Sequence, residues 1–295
     1  MTHRPLLAAA VALLLSACAA PGPVKTAMSA GPAPAGGPEP AAPFQYLYGS
    51  GEAAAISVQA YRLLGFVAAN ESAREGGNSA VLASTATLAA PQWVPCGNKP
   101  HAVVFDADET LILNLGIEEL AARRPGPFDA AQWDRWEKTG GNAVVAVPGA
   151  VEAVAAIRRA GATVVVNSNR DTKNAAATVA ALKAAGLGDF VPGQTLFLKG
   201  DVAPGSAKDP RRAAIAARFC VVAMAGDQLG DFSDQFNAIA LPVARRAAVQ
   251  TPAIAAMWGT RWFMLPNPIY GPQLKGGYHE VFPANRRWAD PEAGK

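Results

Sequence analysis

The chain has 295 residues, 51% apolar and 17% charged, with a formal net charge of +3. That length builds one large domain or two modest ones. So small a charge, with no Lys/Arg block interleaved with aromatics, argues against a nucleic-acid polymer as partner. Abundant Ala favours helices, and neither heptads nor internal repeats are visible.

The first elements read as export and attachment. His3 and Arg4 make a short basic start, and Leu6 to Leu15 form an apolar run too short to span a bilayer. The run ends in Leu15-Ser16-Ala17-Cys18, which resembles the lipobox of bacterial lipoproteins. The resemblance implies cleavage before Cys18 and lipid (palmitate among the acyl chains) on its thiol, an anchor that needs no transmembrane helix. With the non-acidic Ala19 next, it implies the outer membrane. Residues 1–18 are thus a signal segment. Residues 19–43, rich in Ala, Pro and Gly, are a tether unable to build a core.

Residues 44–283 carry the folded domain, followed by a 284–295 tail. The stretch from Phe44 to Leu88 reads as mainly helical, interrupted at Gly76-Gly77-Asn78, and a loop from Pro91 to Pro100 follows. His101 to Asp106 is an apolar strand. A polar and aromatic insert spans 112–146, with Trp133 and Trp136. Val147-Pro148-Gly149 opens a helix to about Ala160, closed by Gly161. Val164 to Val166 is a short buried strand ended by Asn167-Ser168-Asn169-Arg170-Asp171, then a helix to about Ala185. Thr195 to Leu198, Val221 to Ala225 and Trp262 to Leu265 are further strands, with a helix at Arg211 to Arg218. Apolar strands alternating with helices predict an α/β fold: a parallel sheet with helices on both faces, plus cap elements at about 44–90 and 112–146. Cys96 precedes the first strand and Cys220 opens a later one. If these strands are neighbours, the two either pair, as an oxidising compartment allows, or stay buried thiols.

The chemistry starts at Asp106-Ala107-Asp108. On an extended backbone, residues i and i+2 point the same way, so both carboxylates converge at a strand's end. Two anions that close repel. A divalent cation relieves the repulsion, and hard oxygen ligands suit Mg2+. One Asp can attack phosphorus while the other moves the proton. Three more polar clusters follow in order at or near strand ends: Ser168-Asn169-Arg170, Lys208 within Ser206-Ala207-Lys208-Asp209-Pro210-Arg211, and Asp227 with Asp231. A hydroxyl and an amide donate to phosphoryl oxygens, an ammonium offsets transition-state charge, and a further Asp completes a metal site. Ligands of parallel α/β sheets bind outside the carboxyl ends of the strands, where these clusters fall.

These residues resemble the haloacid dehalogenase superfamily, and within it the bacterial lipoprotein acid phosphatases, the class C acid phosphatase and outer-membrane 5'-nucleotidase group. The matching stretches are DADET from 106, WDRW from 133, VPGAVE from 147, SNR from 168, SAKDPR from 206, GDQLGDF from 226 and FMLPNPIYG from 263. The resemblance implies a haloacid dehalogenase-like fold and phosphomonoester hydrolysis through an aspartyl-phosphate, with an acid pH optimum. It makes Asp106 the nucleophile and Asp108 the general acid and base. Mg2+ is held by Asp106, the backbone carbonyl of Asp108 and Asp227, with Asp231 behind them; Ser168, Asn169 and Lys208 bind the phosphoryl group. Dimerisation is implied as well. Nucleotides or small organic phosphates are the expected substrates, with Trp136, Tyr270 and Tyr48 as candidates to stack on the leaving group. Three departures stand out: Ala107 for a bulkier residue, Gln228 where Asn is common, and a longer segment at Val202 to Gly205. The last leaves Lys199, at a strand end, as a competitor of Lys208. A phosphotransferase using the same intermediate, and a lipoprotein that only binds a nucleotide, are the alternatives; the second carboxylate argues against the latter.

Overall fold

In the central sheet, β3 (His101–Phe105), β6 (Thr163–Asp171), β7 (Leu196–Lys199), β8 (Cys220–Gly226) and β9 (Trp262–Met264) all run parallel. These ranges come from a computed structural model that describes residues 39–72 and 76–292. The export segment, Cys18 and most of the tether lie outside the described residues. The strand order is β7-β6-β3-β8-β9, so the DADET strand is central. Successive side chains of a strand point to opposite faces. Val103 and Phe105 accordingly join one core with Val164, Val166, Leu196 and Val222, while Ala102 and Val104 join another with Val165, Phe197 and Met224. Every residue of β8 is buried, the pattern of a parallel strand covered on both faces.

The helix Gly51–Ser72 buries Tyr61, Leu64 and Ala68, one face at helical spacing, against the first core. The insert holds two helices, Leu115–Arg123 and Ala130–Thr139. The second starts at Asp129, whose carboxylate accepts the N–H groups of Ala131 (2.8 Å) and Gln132 (3.1 Å). At the base of the insert, β4 (Ile112–Leu113) pairs with β5 (Val145–Ala146). Helices Ala150–Arg159, Ala175–Ala184 and Asp209–Arg218 make the crossovers expected from the sequence.

Two expectations are corrected. Residues 78–95 are not helix and loop: β1 (Asn78–Leu82) and β2 (Trp93–Pro95) pair antiparallel. Burial overrides the Ala-rich helical bias here, because Ala80 and Val81 sit in the second core. The Ser79 hydroxyl donates to the Val221 carbonyl at 3.2 Å, and the Trp262 indole donates to that of Ala80 at 2.8 Å. The second correction is β6, which does not stop at Val166. It continues through Asp171 with an irregularity between Asn167 and Asp171, so the Ser168-Asn169-Arg170 cluster is part of the strand. At the opposite end of the sheet Cys96 and Cys220 form a disulfide, their Cα atoms 4.6 Å apart. The neighbouring register His101↔Cys220 places them together. Among the described residues no helix is long and apolar enough to cross a membrane.

Candidate active site

Asp106 follows β3 directly, and its N–H donates to the Ala225 carbonyl of β8 at 3.0 Å. The chain then turns sharply. The N–H groups of Leu111 and Ile112 both return to the Ala107 carbonyl, at 2.8 and 3.0 Å, and Glu109 takes a positive φ of 53°. A left-handed backbone is uncommon outside glycine and marks a turn held by its surroundings. The turn leaves Asp106 and Asp108 at the carboxyl edge of the sheet.

Around Asp106 the carboxylates gather. One oxygen each from Asp106, Asp227 and Asp231 lies within 4.8 Å of the others, and all three residues are buried. Lys208, 5% exposed, donates through Nζ to Asp106 and, at 2.6 Å, to Asp231. Lys199 instead lies 3.4 Å from Asp171, a half-exposed pair away from Asp106. Lys208 is therefore the lysine of the cluster. It reaches there because the Asp234 carboxylate accepts the N–H groups of Lys208 (3.0 Å) and Asp209 (2.5 Å), fixing the start of the Asp209–Arg218 helix. Asp231 packs so closely on Gly226 that no β-carbon fits there. Its other oxygen accepts the Gln228 N–H at 2.9 Å. Asp231 thus enters the carboxylate cluster itself, nearer than the place behind it that the sequence suggested, while both its oxygens are already engaged.

Burial raises the Asp106 carboxyl well above the usual range; Lys208 opposes this, and Asp231, Asp227 and Asp108 add to it. Burial and the Asp231 charge push Asp227 up to about 7, although Asn267 (2.7 Å) and Gln228 (3.0 Å) donate to it. Three buried carboxylates face one ammonium. That surplus of negative charge, built from hard oxygen donors, fits a divalent cation. Asp106, Asp227 and Asp231 are the carboxylates placed to hold it. Donors occupy both oxygens of Asp231 (Lys208 and Gln228) and of Asp227 (Thr110, with Gln228 and Asn267), while among the described residues Asp106 is bonded only by Lys208, through Oδ1.

Asp108 points to another partner. Its Oδ1 accepts from Arg170 Nε (2.9 Å) and Nη2 (2.8 Å) and from Asn114 Nδ2 (3.0 Å). None of these bonds uses Oδ2. Ser168 is fully buried, and its hydroxyl accepts the Arg170 N–H at 3.1 Å, which leaves the hydroxyl proton for another acceptor. Asn169 is exposed and turns its Oδ1 to Arg211 at 2.5 Å.

Two of the aromatic candidates are tied by their hydroxyls to one carboxylate. The Tyr48 hydroxyl donates to Glu109 Oε1 at 3.1 Å, and the Tyr270 hydroxyl donates to Oε2. The Asn114 backbone N–H also donates to Oε1, at 3.0 Å. Burial, then the Asp108 charge, raises Glu109 to about 8. Tyr48 and Glu109 also line a cavity of about 110 Å³ with Leu113, Val147 and Pro266. Trp136 is corrected as a stacking candidate. Its ring lies against Gly116 and Gly140 and its indole N–H bonds Asn114 at 3.1 Å, so it braces the insert. Residue-type reasoning missed the parts played by Glu109, Asn114 and the guanidiniums of Arg170 and Arg211. The Glu of DADET and the Arg of Ser-Asn-Arg were visible, but their partners lie 5 to 161 positions away along the chain.

Buried carboxylates, a lysine bridging two of them and an Asp108 held by Arg170 and Asn114, all at the carboxyl end of a parallel sheet, suit an α/β phosphoryl-transfer enzyme. The family model of the HAD superfamily, subfamily IIIB (acid phosphatase), matches residues 68–273. The chain belongs to that family, and it is an acid phosphatase, a phosphoric monoester hydrolase. In fold it is similar to the class C acid phosphatase from Bacillus anthracis solved with tungstate bound: 23% identity, TM-score 0.61, over 78% of this chain and 84% of that one. A second structure of the class C acid phosphatase from Bacillus anthracis gives 22% identity and TM-score 0.62 over the same shares.

Proposed function

We propose that this chain is an exported, lipid-anchored phosphomonoesterase that uses Mg2+ and releases phosphate from nucleotides or small organic phosphates. The observation that carries the chemistry is the Lys208 ammonium between Asp106 and Asp231, buried beside Asp227. A bound divalent cation supplies positive charge against the carboxylates and the phosphoryl oxygens. Asp106 attacks phosphorus: an oxygen–phosphorus bond forms on its carboxylate and the bond to the leaving oxygen breaks. Protonated Asp108 gives its proton to that oxygen from Oδ2, the atom outside the Arg170 and Asn114 bonds. Water then attacks the phosphoryl group, Asp108 takes back a proton, the bond to Asp106 breaks and phosphate leaves. Ser168, Asn169 and Lys208 donate to the phosphoryl oxygens throughout. Leaving groups sit towards the side of Tyr48 and Tyr270, whose hydroxyls both meet Glu109.

Phosphate release from p-nitrophenyl phosphate and 5'-AMP, with and without EDTA, tests this. Asp106→Asn is expected to lower kcat by about ten-thousand-fold with the fold intact by circular dichroism. Full turnover in that variant overturns the covalent route, and unchanged activity in EDTA removes the metal. A panel of 5'- and 3'-nucleotides, aryl phosphates and sugar phosphates identifies the leaving group. Labelled-palmitate uptake by wild type but not by Cys18→Ser is the outcome expected of the anchor.

A further inference from the structure

Three buried arginines surround the phosphate side of the site, and they differ in what they hold. Arg170 pairs with Asp108. Arg212 pairs with Asp209 and Asp234 and donates to the Gly230 and Asp231 carbonyls, both at 2.9 Å. Arg211 is 2% exposed, yet among the described residues it forms no ion pair. Its acceptors are all carbonyl or amide oxygens: the Ser168 backbone and Asn169 Oδ1, both at 2.5 Å, and more distantly Ala207 (3.3 Å) and Ser206 (3.4 Å). Its Nε finds no partner. A buried guanidinium without a carboxylate is costly unless an anion comes to it.

We infer that Arg211 is a positioning residue that sets the polarity of the phosphate pocket and ties its two halves together. The guanidinium only donates. It draws oxygen atoms of the β6 tip and of the Lys208 loop to itself, atoms that would otherwise repel a phosphate. Because Asn169 offers Oδ1 to Arg211, its Nδ2 is turned away as a free donor. The pocket that remains presents the Ser168 hydroxyl, the Asn169 amide N–H and the Lys208 ammonium, and every one of them donates. The same fork spans from β6 to Ser206 and Ala207. The extended Val202 to Gly205 segment therefore does not loosen Lys208, which follows Ala207 directly. Two hydrogen-bonded planes at fixed angles are a task for Arg and not for Lys.

The inference rests on Ser168, Asn169 and Lys208 binding the phosphoryl group, and inorganic phosphate is the probe. Its competitive inhibition constant is measured for wild type, Arg211→Lys, Arg211→Gln and Asn169→Asp, alongside kcat and KM for p-nitrophenyl phosphate and 5'-AMP. Both Arg211 variants are expected to raise the phosphate constant by about 10–100-fold. KM rises by the same factor for both substrates, because only their phosphoryl half is shared. Asn169→Asp, on the exposed side of the contact, places an anion where the N–H donors were and should weaken phosphate by a like factor. A wild-type phosphate constant in Arg211→Lys, or in Asn169→Asp should neither Arg211 variant fold, overturns the inference. A lowered melting temperature with an unchanged phosphate constant does so too. Failure of wild type itself to be inhibited by phosphate would instead strike the site assignment.

Discussion

At the amino end of β3 and β8, a disulfide ties Cys96, which follows β2, to Cys220, the first residue of β8, in apolar surroundings. At the carboxyl end of the same two strands, Asp106 and Asp227 face each other among buried charges. The two bonded cysteines at the first end do not titrate; at the second, burial drives carboxyl groups out of their ordinary range. One end lowers the entropy of the unfolded chain. The other stores like charges that destabilise the fold and are useful only when a cation and a phosphate arrive. The comparison predicts that changes at the two ends separate activity from stability.

After Asp106 itself, the largest effect is expected at Lys208. Lys208→Met keeps the length of the side chain but removes the charge between Asp106 and Asp231, and kcat should fall about a thousandfold. Steady-state assays beside a thermal melt check this. A variant that loses stability but keeps kcat would break the division between the two ends. The double variant Cys96→Ala/Cys220→Ala is the reverse probe. It opens a loop of 124 residues and should cost about 2–5 kcal/mol, read by urea denaturation, with kcat/KM unchanged well below the melting temperature. The smallest effect is on the rim of the charged end, at Glu118. Burial and the Asp108 charge raise its carboxyl to about 7. A raised folded-state value means that ionisation opposes folding. The penalty is absent below the unfolded value of about 4.5, grows as pH rises, and is complete above about 7. Glu118→Gln should therefore stabilise the protein by about 1 kcal/mol at pH 8 and not at all at pH 4. Equal melting temperatures at both pH values would show that Glu118 carries no such penalty.

Strand ends and motif residues were readable from the chain because apolar runs followed by polar clusters report both the sheet and its functional edge. Lys208 and Lys199 compete in the sequence, and only the folded chain separates them: Lys208 reaches Asp106, whereas Lys199 pairs with Asp171. The β1–β2 pair was not readable. Asn78–Leu82 is short and Ala-containing, and only the neighbouring β8 and Trp262 make it a strand. The Arg170–Asp108 and Tyr–Glu109 contacts were hidden for a related reason. A side chain's type says what it can bond, and its partner is fixed only once distant segments meet. Trp136 shows the same limit from the other side, since an aromatic suited to stacking on a ligand is equally suited to packing on two glycines.

The disulfide also changes what a broken backbone means. The exposed Val202 to Gly205 segment lies between the two cysteines in sequence. A protease that nicks it leaves two fragments, one bearing Asp106, Asp108 and Ser168 and the other Lys208 and Asp227. They migrate as one molecule until a reductant parts them.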